Sequence, residues 1–222
     1  MLDILYEDEA LLFVNKPPNI VVQRGYDPDE PVLLELVRAH APDAFLMQRL
    51  DRGTSGVIFF SKQAAINARL TRQFEKRIIR KAYLAICEGE LAEKQTIDAP
   101  LARIGPISFG VRDGGKRALT TVESVRATAN GSLVSIRLHT GRTHQIRVHL
   151  AAIGHPLVGD WLYGQRNATR PMLHAAELAM MHPLTNTPLR VSARPPEDFV
   201  AAAIERRILS RGEDIMTAVD IS

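Results

Sequence analysis

The chain is built from short apolar or alternating runs set between turn residues, with only a few stretches of helical period. Ala10 to Val14 is wholly apolar and predicts a buried strand, closed by Asn15-Lys16-Pro17-Pro18, where two prolines withhold backbone donors. Val57 to Phe60 predicts a second buried strand and Ala82 to Cys87 a third, on which Tyr83 and Leu84 face opposite sides. Ile66, Leu70 and Phe74 recur every four residues among polar and basic neighbours, which predicts an amphipathic helix over Gln63 to Arg77. Thr120 to Arg126 and Leu133 to His139 flank Ala129-Asn130-Gly131, a hairpin signal. Ile146, Leu150 and Ile153 fall at helical spacing before Gly154, so a short glycine-capped helix is expected from Thr143 to Ile153. Gly110 to Gly115, ahead of Lys116 and Arg117, lacks phosphate-loop spacing and reads as a flexible basic loop. From Val200 onward, mixed Arg, Glu and Asp suggest a terminal helix and a frayed tail. Strands joined by hairpins, with helices inserted irregularly, predict an α+β fold on a mostly antiparallel sheet.

Composition narrows this picture by exclusion. With 222 residues, 45% hydrophobic and 24% charged, the chain is long enough to bury a sizeable core. Its one cysteine, Cys87, excludes a disulfide framework and a multi-cysteine zinc site and fits a reducing, cytoplasmic setting. The amino terminus carries acids where a secretion signal carries cations, and no apolar run approaches the roughly 20 residues of a membrane span. Against 28 Lys and Arg stand 25 Asp and Glu, a net charge of +3 that selects no partner. The distribution says more than the sum. Between Lys62 and Lys81 lie seven cations (Lys62, Arg69, Arg72, Lys76, Arg77, Arg80, Lys81) and a single acid, Glu75. That clustering is the footprint of a polyanion binder, and also of an ordinary solvated helix face.

Two segments hold candidate chemistry. Gln48 to Gly56 (QRLDRGTSG) is a polar, glycine-containing loop ahead of a buried strand, the usual setting for a functional group such as Asp51. Gly141 to His149 (GRTHQIRVH) opens the predicted short helix with Arg142, His144 and Arg147 near its positive end. Cations there call for a negative partner, for which Asp51 and a nucleic-acid phosphate are both candidates. His144 and His149 are five residues apart and lack the glutamate of a zinc-protease helix, so no metal site is expected. Cys87, inside an apolar strand, reads as core.

Taken together, Arg49-Leu50-Asp51 with Thr54-Ser55-Gly56, Arg80 to Ala85 (RKAYLA), Gly141 to His149, Gly154 to Asp160 (GHPLVGD) and Leu173-His174-Ala175 resemble the RluA family of RNA pseudouridine synthases. The blocks follow the family's order and reach from about Ile4 to Phe199. The resemblance implies an α+β catalytic domain with a mixed, mostly antiparallel sheet and a central active-site cleft, over residues 1–199, with 200–222 as a C-terminal helix or tail. It implies a cofactor-independent enzyme that detaches uracil from its ribose within RNA and rejoins it through C5. Asp51 is then the essential catalytic carboxylate, Tyr83 the aromatic that stacks on the base, with its hydroxyl a candidate for removing the C5 proton, and Arg147 the partner of Asp51. Arg49 fills the gap left by the flipped uridine and Leu173 packs under the base; Arg142 and His144 join them in binding the substrate.

The chain departs from the family pattern at Gln48, where the family usually has His, and at Asn19, where the Lys-Pro block usually continues to Gly. The first bears on how RNA is gripped. Because the chain starts directly with the catalytic motifs, no S4-type RNA-binding domain is expected, which suits a compact tRNA arm or rRNA hairpin bound by a monomer. The alternatives are a non-catalytic RNA-binding module on the same scaffold and a nucleoside hydrolase. A hydrolase generally needs a second carboxylate, and none accompanies Asp51 within its motif.

Overall fold

A computed structural model of the chain describes residues 1–25, 29–164 and 169–221. Its elements begin with β1 (Ile4–Glu7), β2 (Leu11–Lys16), α1 (Leu33–His40), β3 (Phe45–Leu46) and β4 (Ser55–Ser61). A 3-10 turn at Ala64–Ile66 leads into α2 (Asn67–Glu75), then β5 (Arg80–Cys87), β6 (Gln95–Asp98), β7 (Leu101–Arg103) and β8 (Phe109–Val111). The hairpin of β9 (Leu119–Thr128) and β10 (Gly131–Leu138) precedes α3 (Gln145–Ala152), β11 (Leu173–Met181) and β12 (Pro188–Ser192). Two helices, α4 (Glu197–Glu205) and α5 (Ile215–Ala218), complete the order. The described residues form two compact units, one from Met1–Lys81 with Ala175–Arg194 and the other from the remainder.

In the first unit, β1 pairs with β2 and β2 with β4, both antiparallel, from Leu11 opposite Ser61 to Lys16 opposite Gly56. The two wholly apolar runs are therefore neighbours, and both are buried on each face, which is why neither alternates. Phe13 stacks on Phe59 at 5.2 Å between ring centroids, and Phe59 on Phe74 of α2 at 6.1 Å. Ile66 and Leu70 enter the same core beside Leu178 and Met180. The expected helix over Gln63 to Arg77 is thus real but shorter, opening as a tight 3-10 turn and ending before Arg77, whose φ of 55° is left-handed. Gly56 starts β4 with φ +109°, and a Cβ there would lie 2.2 Å from the Ala175 carbonyl oxygen, so only glycine fits this backbone contact.

In the second unit, β5 pairs with β10, β10 with β9 and β9 with β6, all antiparallel. The Asn-Gly hairpin lies where expected. Within the Gly110 to Gly115 segment, Gly110 and Val111 belong to β8, which pairs with β7, while Arg112 to Gly115 form a turn that leads to Lys116, bridged to Leu101. The residues after Val200 are likewise packed. α4 begins at Glu197 and buries Phe199, Ala202 and Ala203; Ile208, Leu209, Ile215 and Val219 are buried beyond it. Arg206 pairs with Glu88 at 3.2 Å and Arg126 with Glu213, so charges that look like a solvated tail in sequence are anchors. The whole is an α+β fold of antiparallel ladders with short helices.

Candidate active site

Asp51 sits half-buried in the loop between β3 and β4, where the Thr54 N–H donates to the Asp51 carbonyl at 3.0 Å to close a turn. Leu50 is buried and roots the loop, while Arg49 and Arg52 on either side point to solvent. The loop's other support is Lys16, fully buried at the end of β2. Its ammonium donates to the carbonyls of Pro17 at 2.9 Å and Arg52 at 3.0 Å, and the Asn19 N–H donates to the same Arg52 carbonyl at 2.9 Å. The Lys-Pro-Pro segment thereby clamps the residue next to Asp51. In the sequence this segment reads only as a strand end; the one signal for the role of Lys16 is a lysine placed just after an apolar run and before two prolines. Gln48 Oε1 and Thr54 Oγ1, flanking the loop, are buried and have no hydrogen-bond partner among the described residues.

The second unit carries Tyr83, Arg142, His144, Arg147 and Leu173. Tyr83 is buried in β5 opposite Ile136, and Leu173 is buried as the first residue of β11. The turn into α3 is shaped by His144, whose φ is 57°, and by Gln145, which is almost entirely buried. The Gln145 amide oxygen accepts from the Thr140 hydroxyl at 2.7 Å and the Arg142 N–H at 3.0 Å, while its nitrogen donates to Thr120 Oγ1 at 2.9 Å. Thr120 in turn lies 2.8 Å from His149 Nδ1, and His149 Nε2 lies 3.0 Å from the Ala99 carbonyl. With Nε2 donating and Nδ1 accepting, His149 is a neutral structural imidazole, and burial lowers its pKa. Arg142 leaves its guanidinium at the surface, with Nε donating to the Arg117 carbonyl at 3.0 Å.

Arg147 is 5% exposed and meets Asp160, which is 0% exposed, through two parallel hydrogen bonds of 2.7 and 2.8 Å. The N–H groups of Leu162 and Tyr163 also donate to Asp160 Oδ1, at 3.0 and 3.3 Å. The guanidinium lies 5.0 Å from the centroid of the Tyr163 ring, and the Tyr163 hydroxyl accepts from Phe109 N–H at 2.9 Å while lying 2.8 Å from His144 Nδ1. The cation-rich helix start thus finds one negative partner in Asp160, at the end of the Gly154 to Asp160 block. That residue was in view in the sequence with no role given to it.

Two groups near Tyr83 have shifted pKa values. Burial pushes the Cys87 thiol up to about 12, which leaves it protonated and inert at neutral pH. Burial pulls the Lys81 ammonium down to about 8; its Nζ lies 5.0 Å from the centroid of the Phe74 ring. Above the folded pKa the native chain has released a proton that the unfolded chain still holds, so the contribution of Lys81 to stability should rise between about pH 8 and the ordinary lysine value of 10.5. The gain should be no more than about 3 kcal/mol. Urea unfolding at pH values across this window checks it through a difference: the stability of the wild type relative to Lys81→Met should rise from about pH 8 to 10.5, while the raised Cys87 thiol lowers the stability of both proteins equally above its ordinary value of 9.0.

A family model described as RNA pseudouridylate synthase matches residues 10–152, which include Asp51, Tyr83, Arg142, His144 and Arg147. The chain belongs to the RNA pseudouridylate synthase family. The synthase is 39% identical over 211 residues to the "Uncharacterized RNA pseudouridine synthase YhcT" of Bacillus subtilis, covering 89% of this chain and 70% of that one. It is 34% identical to the "Ribosomal large subunit pseudouridine synthase D" of Haemophilus influenzae, covering 90% and 69% of the two chains. Among solved structures, "Human RNA Pseudouridylate Synthase Domain Containing 1" superposes with a TM-score of 0.73 at 29% identity, covering 88% of the synthase and 84% of that chain. The synthase is therefore an isomerase that acts on RNA. Among its described residues no helix is long and apolar enough to cross a membrane, and no cluster of His, Cys, Asp or Glu is suited to holding a metal ion.

Proposed function

We propose that the synthase converts one or more uridines of a structured RNA to pseudouridine with Asp51 as the essential carboxylate. The supporting observation is the construction of the Asp51 loop: a fully buried Lys16 and a glycine-only contact at Gly56 brace a half-buried Asp51 in the loop that leads into a buried strand. In this reading the C1′–N1 glycosidic bond breaks with its electron pair passing to N1, the uracil turns, a C1′–C5 bond forms, the C5 proton is released and N1 takes up a proton, so that the product is an isomer of the substrate. Tyr83 stacks on the base, Leu173 packs under it, and Arg49 enters the space that the flipped uridine leaves. Arg147 supports the Asp51 carboxylate, and Arg142 and His144 help to hold the substrate. The reaction as read here needs neither metal nor cofactor.

Between tRNA and rRNA, the large-ribosomal-subunit synthases among the relatives favour rRNA. The reading places the enzyme in the cytoplasm as a monomer, with residues 1–199 as the catalytic domain. Mapping pseudouridine by carbodiimide-dependent primer stops in total RNA, with and without the gene, tests the substrate. A stop lost from large-subunit rRNA is the expected result, and a stop lost only from tRNA would move the assignment to tRNA.

A further inference from the structure

A cavity of about 310 Å³ opens in the first unit between α2 and the turn joining β11 to β12. That is the low end of the roughly 300–1,000 Å³ range of small-ligand pockets. Its walls differ in character. Arg69 and Arg72 line one side, Ile78, Pro183 and Leu184 supply apolar surface, and Asn186 adds an amide. Ile78, which follows α2, and Leu184, in the turn between β11 and β12, are each 40% exposed, large apolar side chains left at the surface beside the basic helix.

The frame around this pocket is rigid. Gln73, nearly buried, donates to the Met181 carbonyl at 2.7 Å and accepts from the Met181 N–H at 3.0 Å, locking α2 to the end of β11. His182 Nε2 lies 2.8 Å from Asp8 Oδ2, while its Nδ1 is 3.2 Å from the Thr185 N–H, which fixes the turn. Arg69 spends one N–H on the Pro183 carbonyl at 2.9 Å and keeps the rest of its fork outward. The Arg72 side chain makes no hydrogen bond or ion pair among the described residues. Among the described residues no carboxylate lines the cavity.

The seven cations of this stretch therefore divide. Lys62 is committed to Glu7 and Lys81 is tucked against Phe74, whereas Arg69, Arg72, Lys76, Arg77 and Arg80 are exposed. Guanidinium donors beside apolar surface suit a nucleotide whose base has left its stack: the cations take the phosphate, and the apolar wall or an Arg plane takes the base face. We propose that this pocket is a second RNA subsite, receiving one unstacked nucleotide other than the uridine being modified, with its phosphate on Arg69 and Arg72 and its base against Ile78, Pro183 and Leu184. The proposal builds on the family's action on RNA and does not depend on the role given to Asp51.

The test uses the full chain and a short fluorescein-labelled oligouridylate, titrated over a range of salt. Arg72→Gln should weaken binding about tenfold and lower the slope of log affinity against log salt by about 0.7, the single-strand value for one phosphate contact. Arg72→Lys should restore the slope, and Lys94→Gln, an exposed cation elsewhere, should leave both quantities unchanged. Oligonucleotides carrying 4-thiouridine should crosslink to peptides that contain Ile78 or Pro183-Leu184. Arg72→Gln indistinguishable from Lys94→Gln, crosslinks confined to other peptides, or equal displacement of the probe by polyglutamate would each overturn the proposal. Wild-type protein that binds RNA here yet forms no pseudouridine would count against the catalytic reading alone.

Discussion

Asp160→Ala should destabilise the synthase by about 3–5 kcal/mol, the range expected when one member of a buried ion pair is removed. The pair qualifies on every count: Arg147 is 5% exposed, Asp160 is not exposed at all, and the two meet through a bidentate fork. The loss extends beyond Arg147, because the N–H groups of Leu162 and Tyr163 also depend on Asp160 Oδ1. Asp160→Asn keeps an oxygen for those two donors but gives up the charge, so it should fall between the wild type and Asp160→Ala. Urea unfolding monitored by circular dichroism measures the order. A cost below about 1 kcal/mol for Asp160→Ala would mean that the pair is exposed to solvent in the working protein. Activity should fall further than stability, since the carboxylate fixes the Arg147 side chain while the network through Tyr163 and His144 sets the start of α3.

Much of the architecture was legible because local pattern and tertiary environment agree. The two wholly apolar runs became adjacent strands with both faces covered, and the Asn-Gly segment became the turn of the β9–β10 hairpin. The short helix from Thr143 to Ile153 formed almost within its expected bounds, as Gln145–Ala152. What failed to show in the sequence depends on residues far apart along the chain. Gly110 and Val111 look like part of the loop that follows them because their strand character comes only from pairing with β7. The residues after Val200 look like a tail because their charges find partners at Glu88 and Arg126, more than eighty residues away. Lys16 carries no local sign that its ammonium ends on the carbonyl of Arg52.

The site shows the same division. The resemblance picks out Asp51 in the first unit and Arg147 in the second by residue type and order, whereas Lys16, which braces the Asp51 loop, and Asp160, which pairs with Arg147, become visible only with side-chain geometry. This follows from the physics of positioning. A reacting group must be of a given chemical type and so leaves a signature in sequence, while a supporting group needs only to reach the right atom.

Asp51→Asn should abolish pseudouridine formation, with a loss of at least about 10⁴-fold, comparable to the removal of an essential nucleophile or base elsewhere. The amide has nearly the shape of the carboxylate, yet it carries no charge and can neither attack C1′ nor take a C2′ proton. The fold should survive, because the turn at Asp51 is closed by its backbone carbonyl and braced through Lys16. The most direct measurement is tritium release from C5-labelled uridine in large-subunit rRNA transcripts, without added metal or cofactor, for wild-type protein and Asp51→Asn matched in unfolding midpoint. Release by the wild type and none above background from the variant is the predicted result, and sustained release from a folded Asp51→Asn protein would contradict the account.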